Sequence, residues 1–464
     1  MPQETSELGE TAQDAPPPDE IFTGAFSISE ALEKLRLRLL DLTARNRLLN
    51  FKASPAKSLP FVEGRLSTCY QKLIESNDHR IALYPVPEPR RSEFVEKLGR
   101  VIRPDIRDHA RAQGISTTYE LADDQHGERD AQGVRALLYP DELERQCRKM
   151  AAAAKTAIEE TGANMLFLLL GFLEFPEAPN AVKTLLAPLV PVPVSVEKKD
   201  LDRATGTYRY SLSYTGEELT ENLSLREKLR EDFNVQLPDF TEESTLDSYY
   251  RELAQAIEGK PGFKLRRQAT LALVSMTKML LVRDLDPKNW PQVDQQSTLT
   301  QHDIVKMVFE GSHDGGGGEG DNEEYVVDSH KHADLPLIFD ADSSQHSALI
   351  DTVDGKNLVI EGPPGTGKSQ TITNLVASAI STGKKVLFVA EKLAALQVVK
   401  SRLTQAGLGD FCLELHSNKT SKKDVLDSIE TRADKRYPRP VQLDAMLEAV
   451  KEKRRALSDY AELI

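Results

Sequence analysis

The segment "NLVIEGPPGTGKSQTITNLVASAI", beginning at Asn357, constrains the fold of this chain more than any other. An apolar triplet, Leu358, Val359 and Ile360, runs into a glycine-rich turn and then into a helical pattern that ends at Gly383. The turn reads G-x-x-x-x-G-K-S from Gly362 to Ser369. Glycines at 362, 365 and 367 let the backbone turn tightly and aim successive N–H groups at one anion. A helix opening at Lys368 adds the positive end of its dipole to the same anion. Gly362, Pro363, Pro364, Gly365, Thr366, Gly367, Lys368, Ser369 and Gln370 are therefore the candidate phosphate cradle. Lys368 is the candidate catalytic side chain, reaching the β- and γ-phosphates, and the Ser369 hydroxyl is the candidate Mg²⁺ ligand.

The units that follow keep the same rhythm. "KKVLFVAE" reads as a second apolar strand, "KLAALQVVKSRLTQAGLG" as a second helix and "FCLEL" as a third strand. Strands alternating with helices predict a parallel sheet covered on both faces, joined by right-handed crossovers. The expected fold class is α/β. An N-terminal α+β domain over 27–305 precedes a linker over 306–335, and the first part of a RecA-like P-loop NTPase sheet occupies 336–419. Residues 420–464 read as the start of a helical insertion, with a charged amphipathic helix from Val441.

The formal net charge of -14 excludes bulk attraction to nucleic acid, so any such contact needs a local basic surface. The first 26 residues are acidic and Pro-rich, with no apolar core of a signal peptide, and are expected to be a disordered tail. "MLFLLLGFLEF", Met165 to Phe175, is shorter than the roughly 20 residues of a spanning helix, so it is a buried element and no membrane is implied. Cys69, Cys147 and Cys412 lie far apart in no ligand spacing, which fits a reducing cytoplasm. "GSHDGGGGEGDNEE" has too little apolar surface to order itself and marks the linker. His313, His330 and His332, with Asp314 and Asp328, are exposed polar loop residues rather than a metal centre.

Ser27 and Glu30 have capping-box spacing before "ALEKLRLRLLDLTARNRLLNF", in which Leu32, Leu35, Leu39 and Leu42 recur at helical spacing. Arg36, Arg38, Arg45 and Arg47 are either a solvated face beside that stripe or a surface for phosphate or a partner. A long helix is expected from Pro140 to Gly162, and strands at "LAPLVPVPVSVE" and "YRYSLSY". Pro191 and Pro193 suit an edge strand. Tyr208, Tyr210 and Tyr214 share one face of the second strand, for packing or, alternatively, for stacking bases. No catalytic constellation emerges from this half.

Gln345, in "DADSSQHSALIDTV" ahead of the loop, carries an amide able to pair with an adenine edge, though a helical glutamine is equally well surface filler. The combination of Gln345 with "GPPGTGKS" resembles superfamily-1 helicases of the nonsense-mediated-decay and Dna-replication-nuclease type. "LRLRLLDLTARNRLLNF" and "VLFVAEKLAALQVVKSRLTQAGLGDFCLELHS" resemble a group of very large bacterial helicase-related proteins fronted by an uncharacterised domain. The resemblance implies ATP and Mg²⁺ as cofactors, Gln345 as adenine reader and nucleic acid as partner, single-stranded DNA rather than RNA. It also implies strand-backbone contacts from Ala390 to Lys392, where Glu391 departs from the pattern and a simple helix start is the alternative for Lys392.

Hydrolysis in that family needs an acidic pair at the end of a later strand and a second motor domain. No apolar strand ending in Asp-Glu follows Ser417, and Glu414 is a weak substitute. The expectation is the ATP-binding N-terminal portion of a helicase-like protein, the rest supplied by a downstream chain. A nucleotide-gated partner-binding module is the alternative. An AAA+-type ATPase fits less well, because it predicts an acidic strand soon after the loop.

Overall fold

The computed structural model describes residues 27–97, 100–121, 133–240, 244–310, 337–363, 365–415, 422–438 and 441–463. Pro364, the tail over 1–26 and most of the linker, including its three histidines, lie outside the described residues.

Helix α1, Ile28–Leu40, starts where its cap predicts: Ser27 Oγ accepts from Glu30 N, and the Glu30 carboxylate accepts from Ser27 N at 3.0 Å. It stops two residues before Leu42, because Asp41 takes a left-handed conformation at φ 48°. Asn46 then organises the turn. Its Nδ2 donates to Leu40 O at 2.8 Å and Asp41 O at 2.9 Å, and its Oδ1 accepts from Leu48 N at 2.9 Å. The leucine spacing thus continues past a helix end that side-chain hydrogen bonds impose.

Strand β1 (Ser58–Glu63), helix α2 (Leu66–Tyr70) and strand β2 (Arg80–Tyr84) follow, then a short hairpin of β3 (Val95–Lys97) and β4 (Arg100–Ile102). Helix α3 (Ile106–Ala112), strand β5 (Gly133–Ala136) and helix α4 (Pro140–Thr161) lead to three long strands. These are β6 (Leu166–Pro176), β7 (Thr184–Asp202) and β8 (Thr207–Tyr214). After α5 (Leu223–Phe233) and α6 (Leu246–Ala256), β9 (Lys264–Leu273) closes a barrel in the order β1-β5-β2-β8-β7-β6-β9. Every pairing is antiparallel except β2 with β5. Beyond the barrel come α7 (Thr277–Asp284), a hairpin of β10 (Gln292–Val293) and β11 (Gln296–Ser297), α8 (Thr298–Gln301) and α9 (Asp303–Glu310). Helix α9 occupies the first residues assigned to the linker.

The greasiest run of the chain is β6, and its burial has two causes. Leu168 and Leu170 point into the barrel core, whereas Phe167 and Leu169 pack on the other side with Leu40, Phe51 and Met279. A strand covered on both faces loses the alternation of a half-exposed one. Gly171 interrupts it with a bulge at φ 69°, after which Phe172 joins the outer cluster and Leu173 the inner one. A Cβ at Gly171 would collide with the Tyr250 hydroxyl, which donates to Leu170 O at 2.9 Å. Gly171→Ala is therefore expected to destabilise the barrel by about 1–3 kcal/mol, from positive-φ strain plus the collision. A unchanged urea midpoint would show that the bulge relaxes without cost.

Strand β7 pairs with β6 over Thr184–Pro193 and with β8 over Val194–Asp202. Pro191 and Pro193 consequently sit where β6 is the strand's ladder partner on one side and, among the described residues, no strand pairs on the other, which suits prolines as the sequence suggests. Tyr210 points into the core, so the three strand tyrosines do not form one platform.

Residues 337–463 contribute α10 (Ser343–Val353), α11 (Lys368–Ser381), α12 (Leu393–Gln405), α13 (Lys422–Asp434) and α14 (Leu443–Glu462). The helices fall where the α/β rhythm predicts. The expected parallel sheet is not formed among the described residues: 357–361, 384–390 and 412–415 carry no ladder. Val359 is 91% and Leu387 84% exposed, opposite to the two-sided burial expected of them. An apolar triplet becomes a strand only when neighbours satisfy its backbone and cover its side chains. The chain is α/β, with its large sheet in the barrel.

Candidate nucleotide-binding site

Helix α11 positions the site through polar side chains on its buried face. Asn374 is fully buried; its Oδ1 accepts from Ile338 N at 3.1 Å and Phe339 N at 2.9 Å, and its Nδ2 donates to Phe339 O at 2.9 Å. One turn closer to the loop, Gln370 Nε2 donates to Asp340 O at 2.9 Å. The segment 338–340 is thereby laid along α11. Two residues further on, Asp342 caps α10 by accepting from Gln345 N at 2.8 Å, while Gln345 Oε1 accepts from Asp342 N at 3.3 Å. This capping box fixes the first turn of α10.

The same turn brings Gln345 to the loop. Its Nε2 donates to Thr366 O at 3.0 Å, and a Cβ on Gly367 would lie 2.6 Å from that nitrogen. Gly365 and Gly367 adopt φ 91° and 81°, values that favour glycine, and Gly367 is the N-cap of α11. At Gly362 a Cβ would lie 2.7 Å from Thr366 Oγ1, which itself donates to Pro363 O at 2.9 Å. The loop is thus closed on itself and leads directly into a helix start, whose first N–H groups have no intrahelical acceptor. Lys368 Nζ donates to Gly362 O and, at 2.9 Å, to Pro363 O. A cation over the mouth of a glycine turn, with N–H groups beneath, is a fit for a polyphosphate. Ser369 stands beside Lys368 on the first turn, where a hydroxyl can face the same anion.

The structure gathers Gln345, Gly362, Pro363 and Gly365 to Gln370 in one place. It does not bring Glu414 to them: that carboxylate is ion-paired with Lys400 at 2.8 Å. Lys392 is the N-cap of α12, the helix-start role, and Glu391 is exposed beside it. The four arginines near the N-terminus divide. Arg36 is a structural cross-link, bonded to Glu33, to Asp286 at 2.9 Å and to Val282 O at 3.2 Å. Arg47 donates to Leu273 O at 3.1 Å, burial alone lowers its pKa, and only Arg38 and Arg45 are exposed. Asn374 and Asp342 escaped the sequence reading. The D-x-x-Q capping spacing would have found Asp342; Asn374 reads as an unremarkable helical position until its partners are seen. Among the described residues no cluster of His, Cys, Asp and Glu could hold a metal ion, and no helix is long and apolar enough to cross a membrane.

A glycine turn opening a helix, with a lysine over it and an amide tethered to it, has the donors that fit a polyphosphate. Residues 340–461 match the family described as "AAA domain", and residues 38–229 match "Protein of unknown function (DUF4011)". The chain is 60% identical over 47 residues to the protein named uncharacterized ATP-dependent helicase MG140 of Mycoplasma genitalium, covering 10% of this chain and 4% of that relative. It is 52% identical over 67 residues to the MG140 homolog of Mycoplasma pneumoniae, covering 14% of this chain and 6% of the relative. These matches span a small fraction of either relative's length. No solved structure matches the chain. Residues 340–461 are thus similar to an AAA domain, and residues 38–229 ahead of them to a domain of unknown function.

Proposed function

We propose that residues 337–463 bind ATP with Mg²⁺ as the opening part of a superfamily-1 helicase-like motor, directed to nucleic acid in the cytoplasm, single-stranded DNA rather than RNA. The observation that carries this reading is the bond from Gln345 Nε2 to Thr366 O. An amide tethered to the candidate phosphate loop supports a role for Gln345 beside a bound nucleotide. In the proposed roles, the N–H groups of Gly365 to Ser369 and the Lys368 ammonium hold the phosphates, Ser369 Oγ holds Mg²⁺, and Gln345 reads adenine. Unwinding is assigned to a complete motor, and ATP binding to residues 337–463.

The test is nucleotide choice. Calorimetry with Mg-ATP and Mg-GTP should show Gln345→Ala weakening ATP more than GTP, by about 1–3 kcal/mol for polar contacts left unsatisfied. Equal losses for both nucleotides would return Gln345 to a role in the loop's shape alone. Glu414→Gln gives a second check. Because the carboxylate is committed to Lys400, the substitution should leave whatever phosphate release the parent shows unchanged within about twofold, against the 10³-fold scale of transition-state charge stabilisation. A larger fall would make Glu414 a member of the hydrolytic machinery.

A further inference from the structure

The N-terminal half carries a pocket of about 410 Å³ that the nucleotide loop does not use. The turn after α1, one face of α4 and the junction of β9 with α7 wall it. Backbone bonds fasten these segments to one another. Leu273 N donates to Lys57 O at 2.9 Å, and Val274 N to Met165 O at 2.8 Å. The walls are of two kinds. Leu39, Leu48, Met165 and Met279 supply apolar surface, while Ala153 and Ala157, one turn apart on α4, leave the space between open. Arg47, Lys57 and Lys278 border the same space.

We infer that this pocket binds a small phosphate monoester with an apolar body, its phosphate on Arg47, Lys57 and Lys278 and its body against the leucines and methionines. The inference does not rest on the nucleotide reading, which concerns the other half of the chain. The observation that carries it is a guanidinium without a carboxylate. Arg47 is half-buried and forms no ion pair among the described residues. Its N–H groups reach carbonyls, Leu273 O at 3.1 Å and Lys52 O at 3.5 Å, and its Cζ lies 5.5 Å from the Phe51 ring centroid. Arg36, Arg135 and Arg226 are half-buried too, and they reach Asp286, Glu63 and Glu221 at 2.9, 2.7 and 2.9 Å. A cation drawn out of water is costly unless an anion completes it. Of the five guanidinium donors, two are used on carbonyls, so a fork remains for an incoming oxyanion. Lys57 and Lys278 are exposed and likewise form no ion pair among the described residues.

Charge balance selects the head group. Asp41 is the carboxylate among the lining residues, and its Oδ1 accepts from the Thr43 hydroxyl at 2.7 Å. Three cations against that one carboxylate leave an excess of two positive charges. A phosphate monoester, at about −1.5 to −2, balances them, and a single carboxylate does not. The walls select the rest of the molecule. Thioethers adapt to shape and pack well against rings, so Met165 and Met279 suit a flat or flexible apolar body. The volume lies in the range of small-molecule pockets, roughly 300–1,000 Å³. A free metabolite and the 5′ end of a nucleic-acid strand would present the same chemistry here, and the probes below separate them.

The test uses the whole chain carrying Lys368→Ala, without magnesium, so that the phosphate loop contributes little. Calorimetry should show 1-naphthyl phosphate bound at least tenfold tighter than either inorganic phosphate or 1-naphthol, because head and body each contribute. Lys57→Gln and Lys278→Gln alter exposed side chains and should leave the unfolding midpoint unchanged. Each should weaken naphthyl phosphate by about five- to tenfold, the loss of one charge-assisted bond at a partly screened site. Ala157→Leu changes no charge but fills the space. It should weaken naphthyl phosphate at least tenfold and leave inorganic phosphate within twofold, a split that a purely structural cluster of cations would not give. Arg47→Gln should abolish binding; because it also loses the bond to Leu273 O, its unfolding midpoint is measured beside it. No binding of naphthyl phosphate, equal binding of 1-naphthol, or parental affinity in both lysine variants overturns the inference. A 15-mer of dT bound tenfold tighter with a 5′-phosphate than with a 5′-hydroxyl supports the strand end as the source of the monoester. Equal affinity of the two forms, with naphthyl phosphate bound, supports the free metabolite. Mg-ATP affinity of the chain with Lys368 intact reports the loop separately and is indifferent to either result.

Discussion

Lys368→Ala is expected to lower Mg-ATP affinity by two to four decades while leaving the fold in place. The side chain is exposed, and among the described residues its hydrogen bonds go to Gly362 O and Pro363 O of its own loop. Its removal therefore opens no cavity. What is lost is the Lys368 cation poised over the glycine turn. Two charge-assisted hydrogen bonds to phosphate oxygens are worth about 1.5–3 kcal/mol each, and every 1.4 kcal/mol is a factor of ten. The remaining N–H groups and helix dipole contribute too little to hold a triphosphate alone at micromolar concentration. Calorimetry on protein with parental circular dichroism is the measurement. Affinity within threefold of the parent would mean that the ammonium stays on the loop carbonyls in the bound state and never reaches phosphate. Lys368→Arg separates charge from shape: it keeps the cation but cannot enter so tight a turn, so its affinity should lie closer to that of alanine.

What was legible beforehand was local. The phosphate loop is a run of consecutive residues whose conformations are dictated by glycines within it, so Gly365 and Gly367 take positive φ as the spacing demands. Helix starts behave the same way: Ser27 with Glu30 closes a capping box written in four residues. Non-local features were harder. The stop of α1 at Leu40 depends on Asn46 reaching back, and nothing in the leucine spacing announces it. Tyr208, Tyr210 and Tyr214 alternate as one face, but burial along it is uneven: Tyr210 is in the core, whereas Tyr208 near the strand end is exposed. The triplet Leu358 to Ile360 has the composition of a covered strand, and composition cannot supply the neighbours that would cover it. Gln345 is the intermediate case. From its residue type alone it is an adenine reader or surface filler equally, the resemblance implies the former, and its contact with Thr366 depends on segment 338–340 being fastened to α11.

That fastening leads to the second large effect. Asn374→Leu keeps the volume of the side chain but removes the acceptor for Ile338 N and Phe339 N and the donor for Phe339 O. Each buried group left unpaired costs about 1–3 kcal/mol; because 338 and 339 are only half-buried and water can reach them in part, the total should be about 2–4 kcal/mol. The loss should appear as faster amide hydrogen exchange along α11 and α10, with the barrel strands unaffected. Its functional consequence is indirect. With 338–340 released, Asp342 no longer holds the first turn of α10 against the loop, and the Gln345 amide loses its fixed approach to Thr366. Asn374→Leu should then reproduce the nucleotide profile of Gln345→Ala, with ATP weakened towards GTP and phosphate binding retained, although Asn374 touches neither base nor phosphate. Asn374→Asp keeps the Oδ1 acceptor for the two N–H groups and should fall between parent and leucine variant. Retained preference for ATP in a leucine variant whose α11 exchanges fast would uncouple the two, and Gln345 would then be held to the loop by its own bond to Thr366 alone.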